Sequence, residues 1–266
     1  MKGFVYYSQT DVKRNRLFID DLFKEAKKID IQLQILVDDE MPDKDTEFVL
    51  FRGRDFKLMK KFEVAGLLVI NRSEVNRIAN HKLRTYELAV LLGVPAVPTK
   101  RIQSTADIDS YPAIIKTVDG HGGHEVFFTA TREKAEVILK KHENRELITQ
   151  PYIESGATDV RVFVLGNEII GAVKRIGSDS FKSNYTLGGS IEKFTLSSSQ
   201  EKDALTIAKA LKSDYIGIDF LLLPDGSWLL NEIEDPVGAR SLYLTHDFSV
   251  AEKLMKYVKG KILELK

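Results

Sequence analysis

Apolar residues along this chain fall into two rhythms. Short runs bounded by turn residues alternate with stretches in which apolar positions recur every three or four residues. Gly3 to Ser8 reads as a buried strand. Phe18, Leu22, Ala26 and Ile29 then lie on one stripe of a helix that Asp11 can cap. Leu33 to Val37, a charged loop from Asp38 to Asp45, and Phe48 to Phe51 come next. A helix from about Asp55 to Glu63 and a strand at Leu67 to Ile70 complete the series. This alternation predicts a small open α/β domain, mainly parallel, over residues 1–80. Its first strand-to-helix turn, Ser8-Gln9-Thr10, lacks the close glycines of a dinucleotide site, so none is expected there.

From Asn80 the pattern changes. His81 to Leu92 is an amphipathic helix carrying Lys82 and ending at Gly93, followed by an extended Val94-Pro95-Ala96-Val97-Pro98. A strand at Ala113 to Thr117, a glycine-rich loop Asp119-Gly120-His121-Gly122-Gly123 and a strand at Glu125 to Thr129 lead into a helix at about Arg132 to Lys141. A strand at Glu146 to Gln150 closes this unit, which predicts a second domain over residues 81–150 and a third over 151–266. In the third, Asp159 to Leu165 and Glu168 to Arg175 predict a hairpin turning at Gly166-Asn167. After a polar loop from Gly177 to Gly189, Ser198 and Glu201 have capping-box spacing for a helix with inner face Ala204, Ile207, Ala208 and Leu211. Ile216 to Leu223 and Ser227 to Ile233 form another hairpin around Pro224-Asp225-Gly226, and a helix over about Val250 to Leu263 ends the chain.

Composition narrows the class. The 266 residues are 43% hydrophobic and 29% charged, with equal acidic and basic counts, as in an ordinary globular protein. Zero net charge argues against bulk attraction to nucleic acid or membrane. The absence of cysteine excludes disulfides, thiolate zinc sites and cysteine nucleophiles. The opening MKGFVYYSQ reads as a strand rather than a signal segment, so a cytoplasmic protein is expected. None of the five histidines has zinc-helix spacing.

The chemistry concentrates in acids that interrupt the last hairpin. Asp219 lies inside its first strand, and Glu232 and Glu234 end the second; two apart, the glutamates leave one face. At about 4 Å and an effective dielectric near 20, each like-charged pair costs roughly 4 kcal/mol before screening. Such a group needs a cation, a shared proton or basic partners, and hard oxygen ligands suit Mg²⁺ shared with phosphate oxygens. A merely solvated strand-end acid is the plainer alternative for any one of them. Lys116, beside the glycine loop, can set a point charge on a phosphate that backbone N–H groups approach, or it can be a strand-end lysine beside an ordinary turn. Arg161 and Arg175 on paired strands need anions, and Asp159 is an internal candidate. Arg240 can read a substrate carboxylate or neutralise Asp235 or Glu234.

GIDFLL followed by WLLNEIE resembles the metal-binding hairpin of ATP-grasp ligases, most closely the RimK-like branch that joins amino acids to carboxylates. The likeness covers roughly residues 65–265. It implies an α/β (α+β) ATP-grasp fold, in which two α+β lobes behind the first domain clasp ATP. Asp219, Glu232 and Glu234 would bind Mg²⁺, or Mn²⁺ in its place; the family usually has Asn at the last position. IIKTVDGHGGHEV resembles the nucleotide lysine and glycine lid, which assigns Lys116, Gly120, Gly122 and Gly123 to ATP, together with Lys82. Gln150-Pro151-Tyr152-Ile153 resembles the adenine-binding linker. By the same resemblance Asp159 lies near nucleotide and substrate, Arg175 holds the acyl-phosphate, and Arg161 stands beside it on the paired strand. SDSFKSNYTLGGS resembles a segment in which Lys182, Ser183 and Asn184 cover the phosphates or the acceptor. The implied activity is ATP-dependent amide formation between an amino-acid amine, such as glutamate, and a small-molecule or peptide carboxylate, with a homo-oligomer suggested by relatives. An ATP-grasp phosphotransferase and a non-catalytic nucleotide-binding subunit are the rival readings.

Overall fold

The computed structural model describes residues 1–38, 40–123, 125–177 and 189–265, organised on three sheets. The first comprises β1 (Lys2–Tyr7), β2 (Gln32–Val37), β3 (Phe48–Phe51) and β4 (Leu68–Ile70), all parallel in the order β2-β1-β3-β4. Both of its faces are covered, which is why β1 and β3 read as unbroken apolar runs. Phe4 and Tyr6 join Phe51, Met59 and Phe62 in one core, while Val5 and Tyr7 join Leu22, Ala26 and Leu254 in another. Helix α1 (Gln9–Arg14) is capped by Ser8, whose hydroxyl accepts from the Asp11 N–H at 3.3 Å. Asp11 is therefore not the cap; it sits in the first turn. The expected single helix is also broken at Asn15, and α2 (Arg16–Lys28) carries the apolar stripe. Helix α3 (Phe56–Val64) starts at Asp55, whose carboxylate accepts from two backbone N–H groups.

Two helices follow, α4 (Ser73–Ala79) and α5 (Lys82–Leu92), before the second sheet. That sheet is antiparallel, with β5 (Lys100–Ile102), β6 (Ala113–Thr117), β7 (Val126–Thr129) and β8 (Leu147–Pro151) in the order β5-β8-β6-β7. Helix α6 (Arg132–Lys141) covers it through Ala135, over a small core with Ile102, Ile115 and Leu147.

The third sheet is the largest. It contains β9 (Thr158–Leu165), β10 (Glu168–Ile176), β11 (Ser190–Lys193), β12 (Tyr215–Leu222) and β13 (Trp228–Glu234), in the order β11-β10-β9-β12-β13. The β9–β10 hairpin turns at Gly166, which takes φ 59°, as its sequence predicts. Helix α7 (Ser198–Leu211) packs on one face with α4 and α5, so Ala79, Ala89, Ala204 and Ile207 share a core with Val162 and Ile218. The other face meets the first sheet's second core through α8 (Arg240–Thr245) and α9 (Val250–Glu264). The capping box of α7 is Ser197–Gln200, one residue earlier than Ser198 and Glu201 suggested. The Ser197 N–H donates to Gln200 Oε1 at 3.0 Å, and Ser197 has the extended backbone a cap requires. Among the described residues no helix is long and apolar enough to cross a membrane.

Candidate active site

The register of the third sheet assembles the site. Asp219 on β12 stands opposite Arg161 on β9 and Glu232 on β13, and Glu234 stands opposite Gly217. Cross-strand partners share a face, so the three acids and Arg161 lie together, turned away from Ile216, Ile218 and Phe220 in the core. A register shift between Asp219 and Phe220 leaves Asn231 outside the regular pairing, and the Lys116 ammonium donates to its Oδ1 at 2.9 Å. On β10, Arg175 stands opposite Asp159.

Basic side chains answer the carboxylates. Arg161 donates from Nε and Nη2 to the two Asp219 oxygens at 2.6 Å each, and Nη2 also reaches Glu234 Oε1 at 2.9 Å. Arg175 grips Asp159 at 2.6 and 2.7 Å and donates to Asp219 Oδ2 at 2.7 Å. Asp159 is thus the internal partner that the sequence left open. Glu232 Oε1 lies 3.7 Å from Lys82 Nζ and 3.6 Å from Lys116 Nζ. Arg54, from the loop after β3, lies 3.9 Å from Glu234 Oε2. Of the three ways to relieve the acids' repulsion, these side chains are the one built into the fold.

Protonation follows from the same contacts. Burial alone would raise Asp219, but the charges of Arg161 and Arg175 outweigh it and bring the carboxyl down to about 2. Burial likewise opposes ionisation of Glu232, and Lys82 and Lys116 reverse it, so its pKa is lowered. Lys116 itself is pushed down by burial to about 8, against the pull of Glu232. Asp219 and Glu232 are held ionised, with Lys116 nearer than an ordinary lysine to losing its charge.

The glycine loop closes beside these lysines. Gly122 and Gly123 take φ of 67° and 76°, which favours glycine. A Cβ on Gly120 would come within 2.4 Å of Thr117 Oγ1, and the Lys82 ammonium donates to the Gly120 carbonyl. Arg145 braces the stem by donating to Asp119 at 2.7 Å and to Glu125 at 3.0 Å. Gln150, Pro151, Tyr152 and Ile153 span the junction from β8 towards β9. There the Gln150 amide donates to Thr99 Oγ1 at 2.8 Å and the Tyr152 N–H to the Pro112 carbonyl at 3.2 Å. Lys182, Ser183 and Asn184 lie outside the described residues.

Donor chemistry fits a hard cation shared with phosphate. Glu232 and Glu234 are each a quarter exposed and can turn outward, whereas both oxygens of buried Asp219 already accept from guanidinium groups. Among the described residues no cluster of three or more acids or histidines is tight enough to hold a metal by itself. One or two carboxylates completed by phosphate oxygens are the usual Mg²⁺ arrangement.

Among the described residues Arg240 pairs with neither Asp235 nor Glu234; such a pairing is one of the two readings its sequence position left open. Glu234 meets Arg161 and Arg54, and buried Asp235 accepts from the amides of Asn71 at 2.8 Å and Asn76 at 2.9 Å. Sequence reasoning passed over Arg52, Arg54, Asn71 and Asn76. The available signal was Arg52-Gly53-Arg54 directly after an apolar parallel strand, since ligands of open α/β sheets gather at the carboxyl ends of strands.

The chain resembles known proteins in sequence and in fold. The chain is 30% identical over 247 residues to an uncharacterized protein (MG011 homolog) of Mycoplasma pneumoniae, covering 91% of this chain and 86% of that one. It is 29% identical over 212 residues to a probable alpha-L-glutamate ligase of Haemophilus influenzae, covering 76% and 70%. The crystal structure of a RimK domain ATP-grasp protein from Sphaerobacter thermophilus superposes with a TM-score of 0.78 over 97% of this chain and 99% of that one, at 17% identity. Residues 79–258 match the model of the RimK-like ATP-grasp domain, and with a lysine-flanked glycine loop facing an acid-bearing hairpin, the chain belongs to that family of ATP-dependent ligases.

Proposed function

We propose that this protein is an ATP-dependent carboxylate–amine ligase. A substrate carboxylate oxygen attacks the γ-phosphorus of ATP, breaking its bond to the bridging oxygen and giving an acyl-phosphate and ADP. The amine of an amino acid, glutamate being the first candidate, then attacks the acyl carbon; phosphate leaves, the amine loses a proton, and an amide remains. The observation that carries this reading is the meeting of Lys82, Lys116, Arg161 and Arg175 with three acids on one sheet face.

Each residue has a part in that chemistry. Lys82 and Lys116, held near Glu232, offset the negative charge of the β- and γ-phosphates. Arg175 and Arg161 stabilise charge at the transferring group, fixed beforehand by Asp159 and Asp219, so little reorganisation accompanies the reaction. Glu232 and Glu234 would hold Mg²⁺, Asp219 being already engaged by Arg161 and Arg175, and the ion would supply Lewis-acid neutralisation of the phosphates. Gly120, Gly122 and Gly123 let backbone close over the phosphates, and Gln150 to Ile153 line the adenine side. Lys182 and Asn184 are assigned to the phosphates or the acceptor by family likeness alone. The division proposed is a first domain over residues 1–80, a central lobe over 81–150 and a metal-bearing lobe over 151–266.

The test is ADP release with ATP, Mg²⁺ and panels of amino acids and carboxylates. Turnover that needs an amine is expected; phosphorylation without one would point to a phosphotransferase, and nucleotide binding without turnover to a regulatory subunit. Glu232→Gln should reduce turnover by at least about a hundredfold with the thermal midpoint nearly unchanged. Full activity in that variant would refute the role given to Glu232.

A further inference from the structure

We propose that Arg145 is a positioning residue for ATP: its guanidinium ties the two ends of the glycine loop together and cancels the acids that flank it, so that the loop and Lys82 stay set for the phosphates. The inference rests on the ATP-binding part of the ligase reading and adds a residue that acts on ATP only through its neighbours.

Strand pairing brings the three charges together. Strand β6 pairs with β7 as far as Lys116 and Val126, and with β8 as far as Thr117 and Leu147. Just beyond, the Thr117 N–H donates to the Glu125 carbonyl at 3.4 Å and the Val118 N–H to the Glu146 carbonyl at 3.1 Å. Asp119 then opens the glycine loop, Glu125 closes it, and Arg145 arrives from the turn between α6 and β8, where its own N–H donates to the His142 carbonyl at 2.9 Å. Arg145 Nη2 donates to Asp119 Oδ1 at 2.7 Å, and Nη1 donates to Glu125 Oε1 at 3.0 Å. Nη2 also reaches Glu125 Oε2 at 3.3 Å, an oxygen that accepts from Thr117 Oγ1 at 2.8 Å. One side chain from a separate segment thus holds both ends of the loop.

Charge gives that brace a bearing on phosphate. An isolated surface ion pair contributes little, and the Arg145 side chain is 41% exposed. Here, however, a planar fork serves two carboxylates of like charge, which a lysine's point charge would not match. Glu125 is held below the ordinary carboxylate range by the Thr117 hydroxyl first and then by Arg145, while burial and Asp119 push it up. Burial pushes Asp119 up as well, and it is lowered instead by Arg145 and, less strongly, by Lys82. Lys82 is the lysine that donates to the Gly120 carbonyl and lies 3.7 Å from Glu232. Without Arg145, two uncompensated acids would stand at the mouth of the loop, repelling a triphosphate and competing with it for Lys82. The loop has little stiffness of its own to resist this, because Gly122 and Gly123 are the residues with the widest backbone freedom. The adenine side is braced separately, by Gln150 on Thr99, so the effect belongs to the phosphates alone.

The experiment is equilibrium binding of a non-hydrolysable ATP analogue with Mg²⁺, and of adenosine, which lacks phosphates, to the full chain. Arg145→Gln should weaken the analogue by about five- to tenfold, as befits a partly exposed charge, and leave adenosine within about twofold of wild type. Asp119→Asn added to Arg145→Gln removes one of the exposed acids, and the double variant should return to within about threefold of wild type for the analogue. A merely structural role would weaken both ligands alike and would not be rescued. Unchanged affinity of Arg145→Gln for the analogue, an equal loss of adenosine, or no recovery in the double variant overturns the role of Arg145 and leaves the ligase reading intact. A wild type that does not bind the analogue overturns both.

Discussion

Asp219 shows how much rests on single side chains. Its two oxygens accept from two guanidinium groups buried against the same sheet face, whose remaining partners are Asp159 and Glu234. Removing the central acid strands both arginines, so Asp219→Ala is expected to lower stability by about 3–5 kcal/mol in chemical denaturation. The pH dependence has a definite sign. A folded pKa near 2 lies below the ordinary value of about 3.9, so the contribution is present above that ordinary value and is lost as pH falls towards 2. A stability profile of wild type should bend downward below about pH 4, and the bend should be shallower in Asp219→Asn, the rest coming from other ion-paired carboxylates such as Glu232. That these arginines need anions was legible from their place in apolar strands. Which acids they take was not, because Arg161 and Asp219 are distant in sequence and meet only through the β9–β12 register.

Elements were legible in proportion to their length and rhythm. The long strands, α7 and α9 follow from periodicity, whereas α4, α8, β5 and β11 are three to seven residues long and carry too few positions to show a period. Register is where element and chemistry join. Gly217 stands opposite Glu234, and its backbone needs no unusual φ; what it provides is space. A Cβ there would lie 2.6 Å from Val237 Cγ2 and 3.3 Å from Arg161 Cδ. Gly217→Ala should therefore destabilise the fold by about 1–3 kcal/mol through overpacking. It should also slow turnover by shifting Arg161, which paired melting and ADP-release measurements would detect. Unchanged kinetics in a folded Gly217→Ala protein would mean that Arg161 does not need its present position.

At the scale of the molecule, an asparagine joins the first sheet to the acid hairpin. The Asn71 amide donates to the Tyr215 carbonyl at 2.7 Å and to Asp235 Oδ1 at 2.8 Å, and its Oδ1 accepts from the backbone N–H groups of Asp214 and Tyr215. Asn76 donates to the other Asp235 oxygen, and Asn80 donates to the Asp235 carbonyl at 2.7 Å. Burial raises the Asp235 carboxyl to about 6 against these bonds. Asn71→Ala would leave several buried groups unpaired at about 1–3 kcal/mol each, and a loss of at least about 3 kcal/mol is expected in denaturant unfolding. Glu234 and Arg54 face each other across this same junction.

The sequence by itself determined the alternation of strands and helices, the glycine loop, and the acids of one hairpin, because these follow from local periodicity, backbone freedom and the parity of neighbouring residues. Only the tertiary structure decided that Arg161 takes Asp219, that lysines from α5 and β6 meet at Glu232, and that the loop after β3 brings Arg54 to Glu234. Those pairings depend on strand order and on the packing of one sheet against another. No local pattern encodes them, because the charges that stabilise each other come from segments that meet only when the chain has folded.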